Sequence, residues 1–381
     1  MAVFKLNFDA DTATTLANSN FPNVVSQTAN RLVIKTGNLP GFGVVTLEAT
    51  GSGFNTNNPI FNSFVLTSST RGLVLEISQV SLSVQGLFNS GDFLVKSALG
   101  GPDLVITGPG DDIDLLTFDG ADRVSSRGGD DFINAGAGAD TVLGGSGQDT
   151  IAGGTGDDAL NGGGGRDRIF GNDGADLIDA GGGGDRVLGG AGADLIRGGD
   201  GADFLFGGAQ NDRMFGGGQD DRIDGGGGND RLSGDAGGDT LTGGSGADFL
   251  SGGRGTGFDL LQGGNGADTL IGGGGKDTLQ GGGQNDVING GGGDDIVSGG
   301  NGADRFVFQS RGGDDVLKGF SEAENDIIDL RLVAEITSIR DLRQNHFSQD
   351  GDDAVITLND GSTIIIEHTR RIDLEANDFL F

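Results

Sequence analysis

Gly144-Gly145-Ser146-Gly147-Gln148-Asp149-Thr150-Ile151 is one pass through a nine-residue unit that recurs along the middle of this chain. The unit reads Gly-Gly-x-Gly-x-Asp-x-apolar-x. Its carboxylates fall at Asp122, Asp131, Asp140, Asp149, Asp158, Asp167, Asp176, Asp185, Asp194, Asp203, Asp212, Asp221, Asp230, Asp239 and Asp248 without interruption. Two extra residues around Gly255-Thr256-Gly257 shift the frame, which resumes through Asp259, Asp268, Asp277, Asp286, Asp295 and Asp304. Asp112 reads as an imperfect first member. Two positions after each regular Asp the residue is apolar, as in Val124, Ile151, Met214 and Phe306. A disordered acidic tract has no such register, so the low-complexity reading falls.

The period implies a fold. A short strand, x-apolar-x, turns its central side chain to one face. The glycine-rich loop then reverses the chain, glycine supplying the positive φ values that other residues resist. Two units make one coil, and stacked coils form two parallel sheets around an apolar column. The expected architecture is all-β: a right-handed parallel β-roll over residues 106–305. A small β domain precedes it over 1–105, and a β-rich cap follows over 306–381.

The carboxylates then need explaining. Stacked coils bring same-side Asp residues to the inter-strand spacing of roughly 4.8 Å, where like charges repel. A hard cation resolves this, and Ca²⁺, which takes six to eight oxygens from carboxylates and carbonyls, fits better than octahedral Mg²⁺. Residues 107–304 hold 34 Asp, no Glu and 11 Lys plus Arg. Mere solubility would use either acid, whereas a tight loop suits only the shorter arm. All 21 regular Asp are candidate metal ligands.

The unit resembles the nonapeptide of the RTX proteins, a resemblance covering about half of the chain. It implies calcium ions held between successive loops, the Asp supplying side-chain oxygens and loop carbonyls most of the rest. Gln210, Gln219 and Gln284 replace the fourth-position Gly, and Asn172 and Asp235 the second, so weaker or missing ions are expected there. Phe306-Val307-Phe308, Asp314 to Phe320 and Asn325 to Leu330 resemble the domain after the roll in serralysin-type proteases. The ending Asp378-Phe379-Leu380-Phe381 resembles the uncleaved signal read by type I secretion systems. A secreted protein is therefore expected, with the type I apparatus as a partner.

Composition narrows the rest. The 381 residues include 80 Gly, roughly three times ordinary usage, and no Cys, Trp or Tyr. Disulfides and thiolate metal sites are thereby excluded. A net charge of −32 argues against nucleic acid and anionic membranes. Met1 to Asp9 lacks the basic start and apolar run of a cleavable signal peptide, and no apolar stretch suits membrane insertion.

Before the roll, Val44–Leu47, Phe61–Thr67, Leu73–Ile77 and Val80–Val84 read as strands, parted by Asn38-Leu39-Pro40-Gly41 and Asn57-Asn58-Pro59. They suggest a small antiparallel β domain or a capped opening to the solenoid. After the roll, Ala354–Leu358 and Thr363–Glu367 read as a hairpin about Asn359-Asp360-Gly361, and Arg340–Arg343 as helical.

No catalytic motif accompanies these elements. The two histidines, His346 and His368, lie after the roll and outside any His-Glu-x-x-His. Gly144–Gln148 and Gly243–Ala247 fail the Gly-x-Ser-x-Gly pattern at the last position. Asp9, Asp11, Glu48, Glu76 and Asp92 read as structural rather than as a glycosidase pair. The chain is thus expected to be a binding or structural protein, its N-terminal domain facing surface polysaccharide or another copy. The alternative is a carbohydrate-active enzyme with its site in that domain.

Overall fold

The computed structural model describes residues 119–381 in full, together with Gly110, Thr117 and the backbone of strands between residues 24 and 116. It divides into two compact units, residues 1–169 and 170–381. Asp112, the expected strand Val80–Val84, both N-terminal turns and the side chains of Asp9, Asp11, Glu48, Glu76 and Asp92 lie outside the described residues.

In residues 170–381 the chain folds as a parallel β-solenoid. Each nonapeptide gives one strand, and a strand pairs with the strand two units later. Ile196 stands opposite Met214, and Met214 opposite Leu232, at a spacing of 18 residues. The alternate units do the same in a second sheet, Leu205 opposite Ile223 and Ile223 opposite Leu241. The apolar side chains point inward from both sheets: Ile196, Leu205, Met214, Ile223, Leu241 and Leu250 are each 0% exposed. Burying one such side chain contributes roughly 1.5–3 kcal/mol, so a column of them holds the coils together.

The strands are longer than the three residues that the unit suggests. Arg213–Gly218 and Arg222–Gly227 each span six. The glycine pair continues the ladder, Gly199 opposite Gly217, and only the next three residues turn. The reason is steric. A Cβ on Gly291, whose φ is +103°, would lie 2.2 Å from the carbonyl oxygen of Gly273 one coil back. Only glycine lets adjacent coils approach that closely. Where another residue stands in the loop, the backbone moves into the ordinary left-handed well: φ is 73° at Gln210, 75° at Gln219 and Gln284, 76° at Asn172 and 69° at Asp235. Those loops keep their turn.

The two-residue insertion leaves the stack intact. Thr240 pairs with Leu260 and Leu241 with Leu261, a spacing of 20, while Arg254, Thr256 and Phe258 stand exposed on the bulge. Beyond Asp304 the parallel pairing continues. Val297 faces Leu317, and Leu317 faces Ile366. In the other sheet Phe306 faces Ile328, and Ile328 faces Phe379. The hairpin expected about Asn359–Gly361 closes the first sheet, Thr357 opposite Thr363. Helical turns occupy Ile339–Asp341 and Leu342–His346. No helix among the described residues is long and apolar enough to cross a membrane.

Residues 1–169 hold the same coil geometry with two additions. Val142 pairs with Val124 and with Leu160, and Ile133 with Ile151, all in parallel. Upstream, the backbone of Leu73–Ile77 pairs in parallel with Phe93–Ser97, and Lys96 with Leu116, so coil stacking begins before the first nonapeptide. Val24–Thr28, Arg31–Lys35, Val45–Ser52 and Ile60–Ser68 form a four-stranded antiparallel sheet.

The glycine pair supplies a sharp test. Gly291→Ala meets a backbone oxygen at a positive φ, and its neighbour Gly292 has nothing within 4 Å of an added Cβ. The first substitution is expected to lower stability by about 2–4 kcal/mol, and the second to stay within about 1 kcal/mol of the parent. Denaturant midpoints in saturating calcium read the difference.

Candidate metal centre

Each regular Asp sits where a loop enters its strand, one position before an outward residue and two before a core residue. That placement turns the carboxylate inward. All 21 are buried, none more than 5% exposed. In residues 170–381 they form two columns. Backbone N–H groups link one column through its carboxylates: that of Asp176 donates to Asp194 Oδ1, that of Asp194 to Asp212 and that of Asp212 to Asp230, each at 2.8 Å. The other column runs from Asp185 through Asp203 and Asp221 to Asp239 at 2.7–2.8 Å. In residues 1–169 the N–H of Asp131 donates to Asp149 and that of Asp140 to Asp158 in the same manner.

The second oxygen of these carboxylates is the anomaly. Oδ2 of Asp194, Asp203, Asp212, Asp221, Asp230, Asp239 and Asp248 is buried and has no hydrogen-bond partner. The same holds at Asp268, Asp277, Asp286, Asp295 and Asp304 and, in residues 1–169, at Asp140 and Asp149. Buried polar atoms are nearly always paired, because leaving one unpaired costs about 1–3 kcal/mol. Repeated along two columns, the omission points to a ligand.

The oxygen environment fits that ligand. A Cβ on Gly207 would meet Asp212 Oδ2 at 2.3 Å and the carbonyl oxygen of Gly225 at 2.7 Å. Gly198 stands likewise against Asp203 Oδ2 and the Gly216 carbonyl. The first glycine of the loop thus keeps a notch open in which a carboxylate oxygen and a carbonyl oxygen of the next coil approach one another. Among the described residues no three acid or histidine side chains gather at one point. A cation between loops would need backbone carbonyls to complete its oxygen shell, as flexible hard-ion sites do.

Electrostatics agree. Burial pushes Asp221 up to about 8, with the carboxylates of Asp203, Asp239 and Asp220 adding to the effect. Burial and neighbouring carboxylates raise Asp212, Asp277 and Asp286 to about 7. Asp194, Asp203, Asp239, Asp248 and Asp268 rise to about 6 for the same reasons. Without metal, burial and like charge make ionisation of the columns more costly than in the unfolded chain. No arginine or lysine is among the causes that act on these carboxylates.

Two members of the columns escaped the sequence reading. The N–H of Asp295 donates to Asp315 Oδ1 at 3.1 Å, and that of Asp304 to Asp326 Oδ1 at 2.9 Å. Both are buried, and burial raises Asp315 to about 7. Their spacings of 20 and 22 residues hid them from a strict period. The signal that remained was Asp-x-apolar, with Leu317 and Ile328 two positions on and fully buried. His346 is also buried, its Nδ1 2.8 Å from the carbonyl of Thr357, away from either column.

A parallel solenoid with paired columns of buried carboxylates defines a calcium-binding β-roll. The sequence family described as RTX calcium-binding nonapeptide repeat matches residues 116–306 in successive segments, the later ones overlapping, half of the chain. The chain belongs to that family, and it binds multiple calcium ions. Among solved structures it is similar to a hyperactive, Ca²⁺-dependent, β-helical antifreeze protein from an Antarctic bacterium. The identity is 24%, over 59% of this chain and 86% of that one, with a TM-score of 0.40. It is also similar to the extracellular lipase LipA from Serratia marcescens, at 16% identity over 70% of this chain and 45% of that one, with a TM-score of 0.16. At these TM-scores neither likeness bears on function, and the fold rests on the strand pairing itself. No curated protein matches the chain in sequence.

The pH dependence has a definite sign. Carboxylates raised in the folded state bind more protons there than in the unfolded chain, where they titrate near 3.9. Stability without metal therefore falls as pH rises from about 4 through 8, the reverse of a salt-bridged carboxylate. In chelator, the β signal is expected to grow on acidification from pH 8 to about 5. In saturating calcium the slope flattens, and adding calcium near pH 6.5 releases protons. Far-UV circular dichroism and unbuffered titration check both. Metal-free stability that increases with pH contradicts the assignment.

Proposed function

We propose that this chain is a secreted calcium-binding β-roll, folded by extracellular calcium, whose 21 regular Asp residues hold the ions together with loop carbonyls. The observation that carries this reading is the repeated buried Oδ2 without a hydrogen-bond partner. Asp315 and Asp326 continue the column geometry into residues 306–381, but Asp326 Oδ2 already accepts the N–H of Ser321, so it is not counted among the ligands. Loops bearing Gln210, Gln219, Gln284, Asn172 and Asp235 hold their ions more weakly.

The mechanism is a switch. Where calcium is scarce, ionised carboxylates repel along the columns and the chain stays extended, fit for export. Outside, calcium saturates sites of the roughly 10⁻⁴–10⁻³ M class of extracellular modules. An ion that binds only the folded state at ten times its dissociation constant stabilises it by about 1.4 kcal/mol. Ions shared between neighbouring coils then make folding cooperative along the solenoid. Closure of the first coils outside the exporter opposes back-sliding.

In this reading residues 1–105 form the presented β module, with a structural or adhesive role toward surface polysaccharide or another copy, and the chain performs no catalysis. Residues 306–381 carry the type I secretion signal. Support comes from the family membership.

Two experiments test it. Asp194→Ala is expected to shift the calcium midpoint of folding several-fold upward, as read by circular dichroism and calorimetry; an unchanged midpoint removes Asp194 from the ligands. Coexpressed with a type I exporter, the full chain is expected in the medium and a chain lacking residues 306–381 inside the cells. Equal export of both refutes the signal.

A further inference from the structure

The outward face of one sheet bears a feature that calcium binding does not use. Leu195, Arg213, Arg231 and Phe249 stand in register on four adjacent strands, and Arg197, Phe215, Ser233 and Ser251 form a second outward column beside them. Neighbours in each column are roughly 4.8 Å apart. Beneath them, Ile196, Met214, Leu232 and Leu250 are no more than 1% exposed, which fixes the strands rigidly. The guanidinium of Arg197 lies 6.0 Å, and that of Arg213 5.9 Å, from the centre of the Phe215 ring, so two cations approach one aromatic ring. Phe249 is 41% exposed.

These eight positions contain three arginines, in a chain of net charge −32, and the acid next in register is Asp179, opposite Arg197 on the preceding strand. Arg213 and Arg231 are directly opposed like charges, an unfavourable cross-strand pair without a counter-anion. Arg197, Arg213 and Arg231 make no ion pair with the described residues. They are not counter-ions of the columns either, since the carboxylates Asp194, Asp212 and Asp230 face inward and are 1–2% exposed. Nor does the fold demand arginine at this place: Thr240, Thr269 and Thr278 occupy the same position after their Asp.

We propose that this face docks a linear acidic polysaccharide. Carboxylates of successive sugars engage Arg213, Arg231 and Arg197, and a sugar ring lies against the exposed Phe249. Guanidinium groups match carboxylates bidentately, and a rigid flat ladder presents them at little entropic cost. A polymer suits a repeating face better than a compact ligand does. The polyanion also accounts for the pair Arg213 and Arg231, which no acid of the adjoining strands opposes. The proposal requires a folded roll and so rests on calcium-driven folding, which circular dichroism of the same samples reads separately.

The probe is an oligogalacturonide too short to gel with calcium, added to the full chain in saturating calcium, with its methyl ester as the uncharged control. The native chain is expected to bind the acid and not the ester, and to bind less tightly as salt is raised. The variant R197T/R213T/R231T is expected to keep its calcium-induced β signal and to bind about tenfold more weakly or worse. Equal binding by the variant, equal binding of the ester, or affinity indifferent to salt overturns the proposal. So does self-association of the native chain that the variant abolishes, because the occupant is then a second copy. Should the triple variant not fold, R231T alone is expected to weaken binding measurably, and its failure to do so has the same meaning.

Discussion

The rest of this structure depends on a carboxylate placed in every ninth position and turned inward. From Asp194 to Asp304 one oxygen of each is fixed by a backbone N–H of the neighbouring coil. The other is buried without such a partner along most of both columns. A chain built this way cannot be stable and ionised at once unless something supplies positive charge between the coils. Burial raises the carboxylates, like charges raise them further, and the arginines of the roll lie on the outward faces. A hard divalent cation meets the requirement because it accepts carboxylate and carbonyl oxygens alike.

Glycine is the other half of the same arrangement. At Gly207 the missing Cβ leaves room for Asp212 Oδ2 and the Gly225 carbonyl, and at Gly291 it leaves room for the carbonyl of the previous coil. The first role shapes the ligand site and the second sets the coil spacing. Glycine content and aspartate content are therefore not two independent oddities of composition. The Gln-bearing loops show the margin available, keeping the turn by moving from φ values above 100° to about 75°.

Much of this was legible in the sequence, because the period carries both the fold and the buried carboxylates. The apolar residue two places after each Asp became the core, and each regular Asp became a buried member of a column. What escaped was whatever departed from nine. Asp315 and Asp326 continue the columns at wider spacings set by longer loops. The parallel pairing of Leu73–Ile77 with Phe93–Ser97 has no glycine signature, since a coil of ordinary residues leaves none. Strand length was underestimated because glycine pairs read as loop, although stacking draws them into the ladder. The arginines at 197, 213 and 231 lay in plain view, but only the register between strands brings them onto one surface.

The central claim is that calcium between the carboxylate columns is what allows this chain to fold. Far-UV circular dichroism of the full chain, titrated with calcium from chelator to about 10 mM and with magnesium in parallel, tests it directly. The account predicts a cooperative gain of β signal with calcium and little or none with magnesium. A β spectrum already complete in chelator at pH 8, and unchanged by calcium, would contradict it.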